Sequence, residues 1–162
     1  MNLALVYRGF YKRNFHKKNN FNLDIFKNHL DSINSLDIKN IDIYLHTYSV
    51  NDYEDNKFLS LFLNHNLKKY IIEKEINKKI SYSIINSLNL VDENYDLIIN
   101  TRFDVYFIKP LNEFNINYEK LNLLFKEQER YWNEDKRVSD LIYIFPKKYN
   151  NILTSALTKS MN

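Results

Sequence analysis

YDLIINTRFDVYF, residues 95–107, is an apolar run broken by a polar corner. It reads as a buried strand ending in Thr101-Arg102-Phe103-Asp104, after which apolar residues resume with Val105-Tyr106-Phe107. A charged pair set between two apolar runs is costly if it is simply buried. Such a pair belongs where a strand meets a cleft. A carboxylate just past a strand end can hold a divalent metal against phosphate oxygens.

Working back from that strand, helical and strand patterns alternate. Residues 2–7 read as a first strand, closed by Arg8-Gly9 and followed by a basic loop with Lys12, Arg13, Lys17 and Lys18. Residues 22–35 carry Leu23, Phe26, Leu30 and Ile33 at helical spacing. Residues 41–46 form a second strand ending at His46-Thr47-Tyr48, and a helix near 55–65 carries Phe58, Leu61 and Phe62. A short third strand spans 69–73. A helix over 79–91 places Ile80, Ile84, Leu88 and Val91 on one face before the strand at 96–100. Alternation at roughly 30-residue spacing is the pattern of a parallel sheet covered by helices. Ligands then collect at the carboxyl ends of the strands. Arg8-Gly9, His46-Thr47-Tyr48 and Thr101 to Asp104 are therefore expected along one edge of the sheet.

Beyond Pro110 the pattern changes. Residues 121–125 and 141–145 read as strands, separated by a charged loop holding the only tryptophan, Trp132. Pro146 suits the first residue of a last helix, with Tyr149, Ile152, Leu153, Ala156 and Leu157 turned inward. No repeat or linker interrupts the chain, and residues 1–162 read as one domain.

Composition narrows the function. The chain is 44% hydrophobic and 27% charged, with a formal charge of +3, which gives no argument for nucleic acid. It lacks a run of about 18 apolar residues that would span a membrane. The N-terminus reads as a strand rather than a signal peptide, so a cytoplasmic location is expected. Cysteine is absent, which excludes disulfides, thiolate metal sites and thiol catalysis. Gly9 is the only glycine. A P-loop or a G-x-G-x-x-G turn needs several, so neither can be built.

Three segments together resemble the GT-A-type nucleotide-sugar glycosyltransferases, especially small viral and bacterial ones that build polysaccharides. They are LALVYRGFYKR at 3–13, IDIYLHTY at 41–48, and YDLIINTRFDVYF at 95–107 followed by RVSDLIYIFPK at 137–147. The resemblance implies a Rossmann-type α/β/α sandwich with a mostly parallel sheet and one antiparallel late strand. It implies transfer of a sugar from a nucleotide-sugar donor to a hydroxyl acceptor on a glycan. The family carries an Asp-x-Asp motif after the fourth strand that binds a divalent cation, Mn or Mg, and the donor diphosphate. Here Asp104 matches the last carboxylate and Arg102 stands in place of the first. Arg102 can itself neutralise diphosphate through paired hydrogen bonds.

On this reading Arg8, Gly9, Arg13, His46, Thr47, Tyr82, Arg102 and Asp104 contact the nucleotide sugar, and Asp104 holds the metal. Asp140, after the charged loop, is the candidate base for an acceptor hydroxyl; Glu127, Glu129 and Asp135 are weaker candidates. Trp132 could stack on a sugar ring. His16, His29 and His65 lack metal-ligand spacing and read as surface or packing residues. Two other classes stay open: an inactive nucleotide- or sugar-binding module, and a nucleotidyltransferase-like α/β enzyme with carboxylates gathered around paired metals.

Overall fold

The first strand, β1 (Asn2–Arg8), is buried on both faces from Leu3 onward. Strand side chains alternate, so its two apolar sets enter different cores. Leu3, Leu5 and Tyr7 join one cluster, and Ala4 and Val6 join the other. β1 is therefore an interior strand, and the rest of the fold is arranged about it. The structure, a computed structural model, describes residues 1–12, 21–74, 80–92, 94–124 and 141–159.

β1 pairs in parallel with β2 (Asn40–Tyr48) on one side and β4 (Leu97–Arg102) on the other. β3 (Asn66–Glu73) adds in parallel outside β2. β6 (Ile142–Phe145) lies antiparallel between β4 and the short β5 (Asn122–Leu123). The order is β3-β2-β1-β4-β6-β5, so β6 alone of these six strands runs reversed. The mostly parallel sheet with one antiparallel late strand is as expected. The described residues contain no helix long and apolar enough to cross a membrane.

Helices cover both faces. α1 (Leu23–Asn34) and α2 (Asp52–Ser60) lie on the face of Leu3, Leu5 and Tyr7, through Phe26, Ile33 and Phe58. α3 (Ile80–Asn89) covers the opposite face with Ile84 and Leu88, and α4 (Asn150–Lys159) packs behind it through Leu153 and Leu157. Asparagines start the first two helices. Asn22 Oδ1 accepts from the Asp24 and Ile25 amides, and Asn51 Oδ1 from the Glu54 amide, satisfying donors that have no partner within a helix. The Asn51 cap makes α2 begin earlier than its apolar pattern suggested. The expected inward face of α4 is also corrected. Ile152 is 63% exposed and Ala156 is exposed, because only the narrow stripe of Asn150, Leu153 and Leu157 meets its neighbours.

After β4 the chain doubles along α1, which ties it down with side chains. Asn28 bonds both the amide and the carbonyl of Phe107, at 2.8 and 2.9 Å. Ser32 donates to the Lys109 carbonyl, and Ser35 accepts from the Asn112 amide. His29 is fully buried between them: its Nε2 lies 2.6 Å from the Val105 carbonyl and its Nδ1 2.8 Å from the Tyr7 hydroxyl. A carbonyl only accepts, so Nε2 carries the proton and Nδ1 accepts from Tyr7. His29 is thus a packing residue, as its spacing suggested.

Burial lowers the pKa of His29 to about 4, with the Val105 hydrogen bond pulling the other way. The folded state holds the ring neutral. Between pH 6.5 and 4 the unfolded chain binds a proton that the folded chain does not, so stability falls as pH falls. The full loss is up to about 3 kcal/mol. Urea unfolding between pH 7 and 4.5 should show this decline, and His29→Gln should flatten it even if it destabilises throughout. An unchanged slope in the variant would assign the decline to other groups.

Candidate functional site

The winding reverses at β1. Strands β1, β2 and β3 step one way across the sheet, and β4 then appears on the other side of β1. A crevice opens at the carboxyl ends of the two strands flanking such a reversal. The ends that meet there are Arg8-Gly9 and Thr101 to Asp104. Arg8 is in register with His46 on one side and Arg102 on the other. The three expected clusters do share one edge.

Gly9 turns the chain out of β1 with φ of +90°, a conformation in which a side chain is strained. A Cβ there would meet nothing within 4 Å, so the backbone angle and not crowding calls for glycine. The turn is pinned from β2: the Gly9 amide donates to the His46 carbonyl at 3.1 Å, and the Thr47 hydroxyl donates to the Gly9 carbonyl at 2.7 Å.

Arg8 points to the α3 face and is only 2% exposed. Its Nε donates to Asn100 Oδ1 at 2.7 Å, and Asn100 Nδ2 donates in turn to the Ser87 hydroxyl on α3 at 2.9 Å. The guanidinium also lies 5.7 Å from the centre of the Tyr143 ring. The chain Arg8–Asn100–Ser87 thus crosses from β1 through β4 to α3. Arginine does not lose its proton in proteins, so Arg8 is a permanent positive charge set at the carboxyl edge of the sheet.

The polar corner at the end of β4 splits by alternation. Thr101 and Phe103 turn into the protein, where Phe103 stacks on Tyr7 with ring centres 5.1 Å apart. Arg102 and Asp104 stay together at the edge. Arg102 Nε donates to Asp104 Oδ1 at 2.8 Å and Nη2 to Oδ2 at 2.6 Å. This two-pronged pair uses both carboxylate oxygens. The described residues also contain no group of three or more metal-ligating side chains. Asp104 thus serves as an orienting partner of Arg102.

Beyond Arg8, on the β2–β3 side, His46 and Thr47 are fully buried. His46 Nε2 lies 3.1 Å from Glu73 Oε1 and its Nδ1 3.5 Å from the Ser83 hydroxyl. Tyr82, expected to face a nucleotide, donates to Glu73 Oε1 at 3.0 Å. The nearby Tyr48 hydroxyl has its pKa pushed up to about 12, by burial first and then by Glu73 and Tyr82. Glu73, Asn100, Ser87 and Tyr143 were not singled out in the sequence. Each sits inside an otherwise ordinary strand or helix. The one available signal was Asn100 within an apolar run, which a buried strand tolerates only if the amide has partners.

Arg13 and Asp140 lie outside the described residues, as do Trp132, Glu127, Glu129, Asp135 and His16. Lys12 pairs with Glu54 at 2.9 Å, as a loop charge would. His65 packs edge-on against Phe26. A cavity of about 390 Å³ lies between α1 and α2, lined by Tyr11, Lys12, Leu23 and Leu61 among others, and Arg8, Arg102 and Asp104 take no part in it.

The sequence matches no family model and no curated protein. Among solved structures the fold is similar to the apo-form glycosyltransferase GlyE of Streptococcus pneumoniae TIGR4, with a TM-score of 0.51 and 12% identity. The likeness covers 96% of this chain and 36% of GlyE. At that identity it shows a glycosyltransferase-like fold.

The buried chain Arg8–Asn100–Ser87 can be checked through stability. Asn100→Leu removes the acceptor of a charged donor and should cost about 1.5–3 kcal/mol in denaturant unfolding. Ser87→Ala should cost nearer 1 kcal/mol. A loss below about 0.5 kcal/mol for Asn100→Leu, within the range of ordinary surface changes, would remove this chain from the account of how Arg8 is held.

Proposed function

We propose that the chain transfers a sugar from a nucleotide-sugar donor to a hydroxyl acceptor on a glycan, with the donor diphosphate lying across the ends of β1 and β4. One observation carries this reading. Two arginines, Arg8 and Arg102, stand in register on the α3 side of the adjacent strands at the winding reversal, next to the left-handed Gly9 turn. Guanidinium groups bind phosphate oxygens through paired hydrogen bonds, which suits a diphosphate. The glycosyltransferase-like fold agrees with it.

The chemistry follows from charge. Breaking the bond from the sugar to the diphosphate leaves growing negative charge on the leaving oxygen. Fixed positive groups stabilise that charge without having to reorganise. Arg102 is the more accessible of the two, its side chain 21% exposed, and Asp104 holds its fork in orientation. Arg8 acts from below as part of the field. Asp140 is the proposed base for the acceptor hydroxyl. A divalent cation, Mn or Mg, held by Asp104 would add further positive charge at the diphosphate.

The inactive binding module is the second reading, and the same closed Arg102–Asp104 pair favours it. A nucleotidyltransferase gains no support, since it calls for carboxylates gathered around metals and the described residues gather none.

A nucleoside diphosphate or nucleotide sugar should raise the melting temperature, because a ligand bound only by the folded state stabilises it. Arg102→Gln should reduce that shift, and in a transfer assay it should cost about 10²–10³ in rate. Asp140→Asn should keep the thermal shift and lose transfer. Binding without transfer or donor hydrolysis in the unaltered protein, across a panel of nucleotide sugars, would give the binding module the better claim. Absence of any shift would overturn the nucleotide reading.

A further inference from the structure

β3 stands at the outer end of the strand order, paired with β2 on one side only among the described strands. Edge strands are usually blunted by bulges and charges, because their free backbone groups can pair with another chain. On β3 those devices are confined to its start. The register with β2 slips between Leu67 and Lys69, and the skipped Lys68 lies 3.6 Å from Asp42. From Lys69 to Glu73 the pairing is regular. Within that stretch Tyr70 is 52% and Ile71 41% exposed.

One hydrogen bond shows which backbone groups face the open side. The Glu73 carbonyl accepts from the Ser49 amide, just past β2, at 2.8 Å. Backbone groups alternate in direction along a strand, so Lys69, Ile71 and Glu73 turn theirs toward β2. Tyr70 and Ile72 present theirs outward.

The segment Lys69-Tyr70-Ile71-Ile72-Glu73 is complementary to itself. Laid antiparallel about a two-fold axis at Ile71, it sets Ile71 against Ile71, Tyr70 against Ile72 and Lys69 against Glu73 of the other copy. The outward amides and carbonyls of Tyr70 and Ile72 then meet each other. The Ile71 pair and the Lys69–Glu73 pairs fall at the intervening positions, where facing side chains come closest. Aromatic with β-branched and cation with anion are the favourable cross-strand combinations. Moving the axis to Tyr70 sets Lys69 against Ile71, and moving it to Ile72 sets Ile71 against Glu73. Of these three registers, the Ile71 axis alone matches charge with charge. Both charges are within reach of solvent: the Lys69 side chain is 49% exposed beside Asp92, and the Glu73 side chain is 22% exposed.

We propose that the Lys69–Glu73 segment of β3 is a self-association surface. It joins two copies of this chain edge to edge in one continuous sheet, through an antiparallel β3–β3 pair centred on Ile71. Such an interface uses the same patch on both copies and closes as a dimer. The association is independent of the sugar-transfer reading, since Arg102 lies on β4, on the far side of β1.

Two measurements on the full chain test this: sedimentation velocity over a wide concentration range, and cross-linking through single introduced cysteines. The chain has no cysteine of its own, so each introduced thiol reports its own position. The unaltered protein should pass from monomer to dimer as concentration rises. Ile71→Lys sets two ammonium groups face to face at the axis and should raise the dimer dissociation constant about tenfold or more. Ile71→Cys should cross-link to itself under mild oxidation, because facing Cα atoms at that position stand about 4.5 Å apart, within disulfide range. Tyr70→Cys should cross-link no faster than Tyr53→Cys, a collision control exposed on α2. A protein that stays monomeric leaves the edge to a different chain and overturns the proposal. A dimer that a folded Ile71→Lys variant leaves intact uses another face and also overturns it. Faster cross-linking of Tyr70→Cys than of Ile71→Cys defeats the register. Where Ile71→Lys does not fold, the cysteine pair decides: an Ile71→Cys rate no higher than that of Tyr53→Cys overturns the pairing, and a higher one supports it.

Discussion

The burial of Arg8 in the central strand is the constraint from which the carboxyl edge is built. A guanidinium carries its charge everywhere, so a nearly buried one must be met by acceptors or electron-rich surfaces. Asn100 meets its Nε from the neighbouring strand, and the Tyr143 ring lies within cation–π reach on β6. Asn100 is then itself a buried amide whose Nδ2 must donate, and Ser87 on α3 accepts. One charge on β1 thus explains polar residues on β4, β6 and α3 that an apolar core would otherwise exclude. It also requires α3 to lie at a fixed height over the sheet, since a hydrogen bond of this kind tolerates only a few tenths of an ångström.

The two faces divide the work. On the α1–α2 face the core is strongly aromatic. Tyr7, Phe21, Phe26, Phe58, Phe62 and Phe103 meet in edge-on, tilted and stacked pairs, with His29 bonded through Tyr7 and Val105. That side has few soft degrees of freedom and fixes the ends of β1 and β4 by anchoring Tyr7 and Phe103. The α3 face carries Arg8, His46, Asn100 and Tyr143 toward the same edge. Strand alternation makes the division automatic: Tyr7 and Phe103 turn to one side of the sheet, and Arg8 and Arg102 keep to the other.

This alternation also sets what could be read from the sequence. The strands and helices up to Arg102 were legible because their apolar residues repeat at periods of two or 3.6 over enough length. So was the shared edge, since parallel strands must end on the same side. The partners of the edge residues were not legible. Glu73 and Asn100 are ordinary polar letters in strands, and only the register of β3 with β2, and of β4 with β1, brings them to His46 and Arg8. Helix α4 failed in a different way. Its apolar residues outnumber the positions that its neighbours can cover, so periodicity named a wider face than the packing uses. The Arg102–Asp104 pair was visible as a motif, yet its closed geometry depends on where β4 ends, which sequence spacing does not specify.

The closed pair and the aimed carboxylate describe one arrangement. Asp104 and Glu73 each stand two residues beyond the row that contains Arg8, on opposite sides of it. Asp104 orients Arg102, and the two-pronged pair stiffens the fork. Glu73 is oriented by three donors that face its Oε1. On the proposed function, a cationic end, a stiffened fork and a remote acceptor would favour ligands whose own charges and donors match that spacing. The spacing of charge along this edge is therefore a property of strand register, and it can be altered from β3 without touching the arginines on β1 and β4.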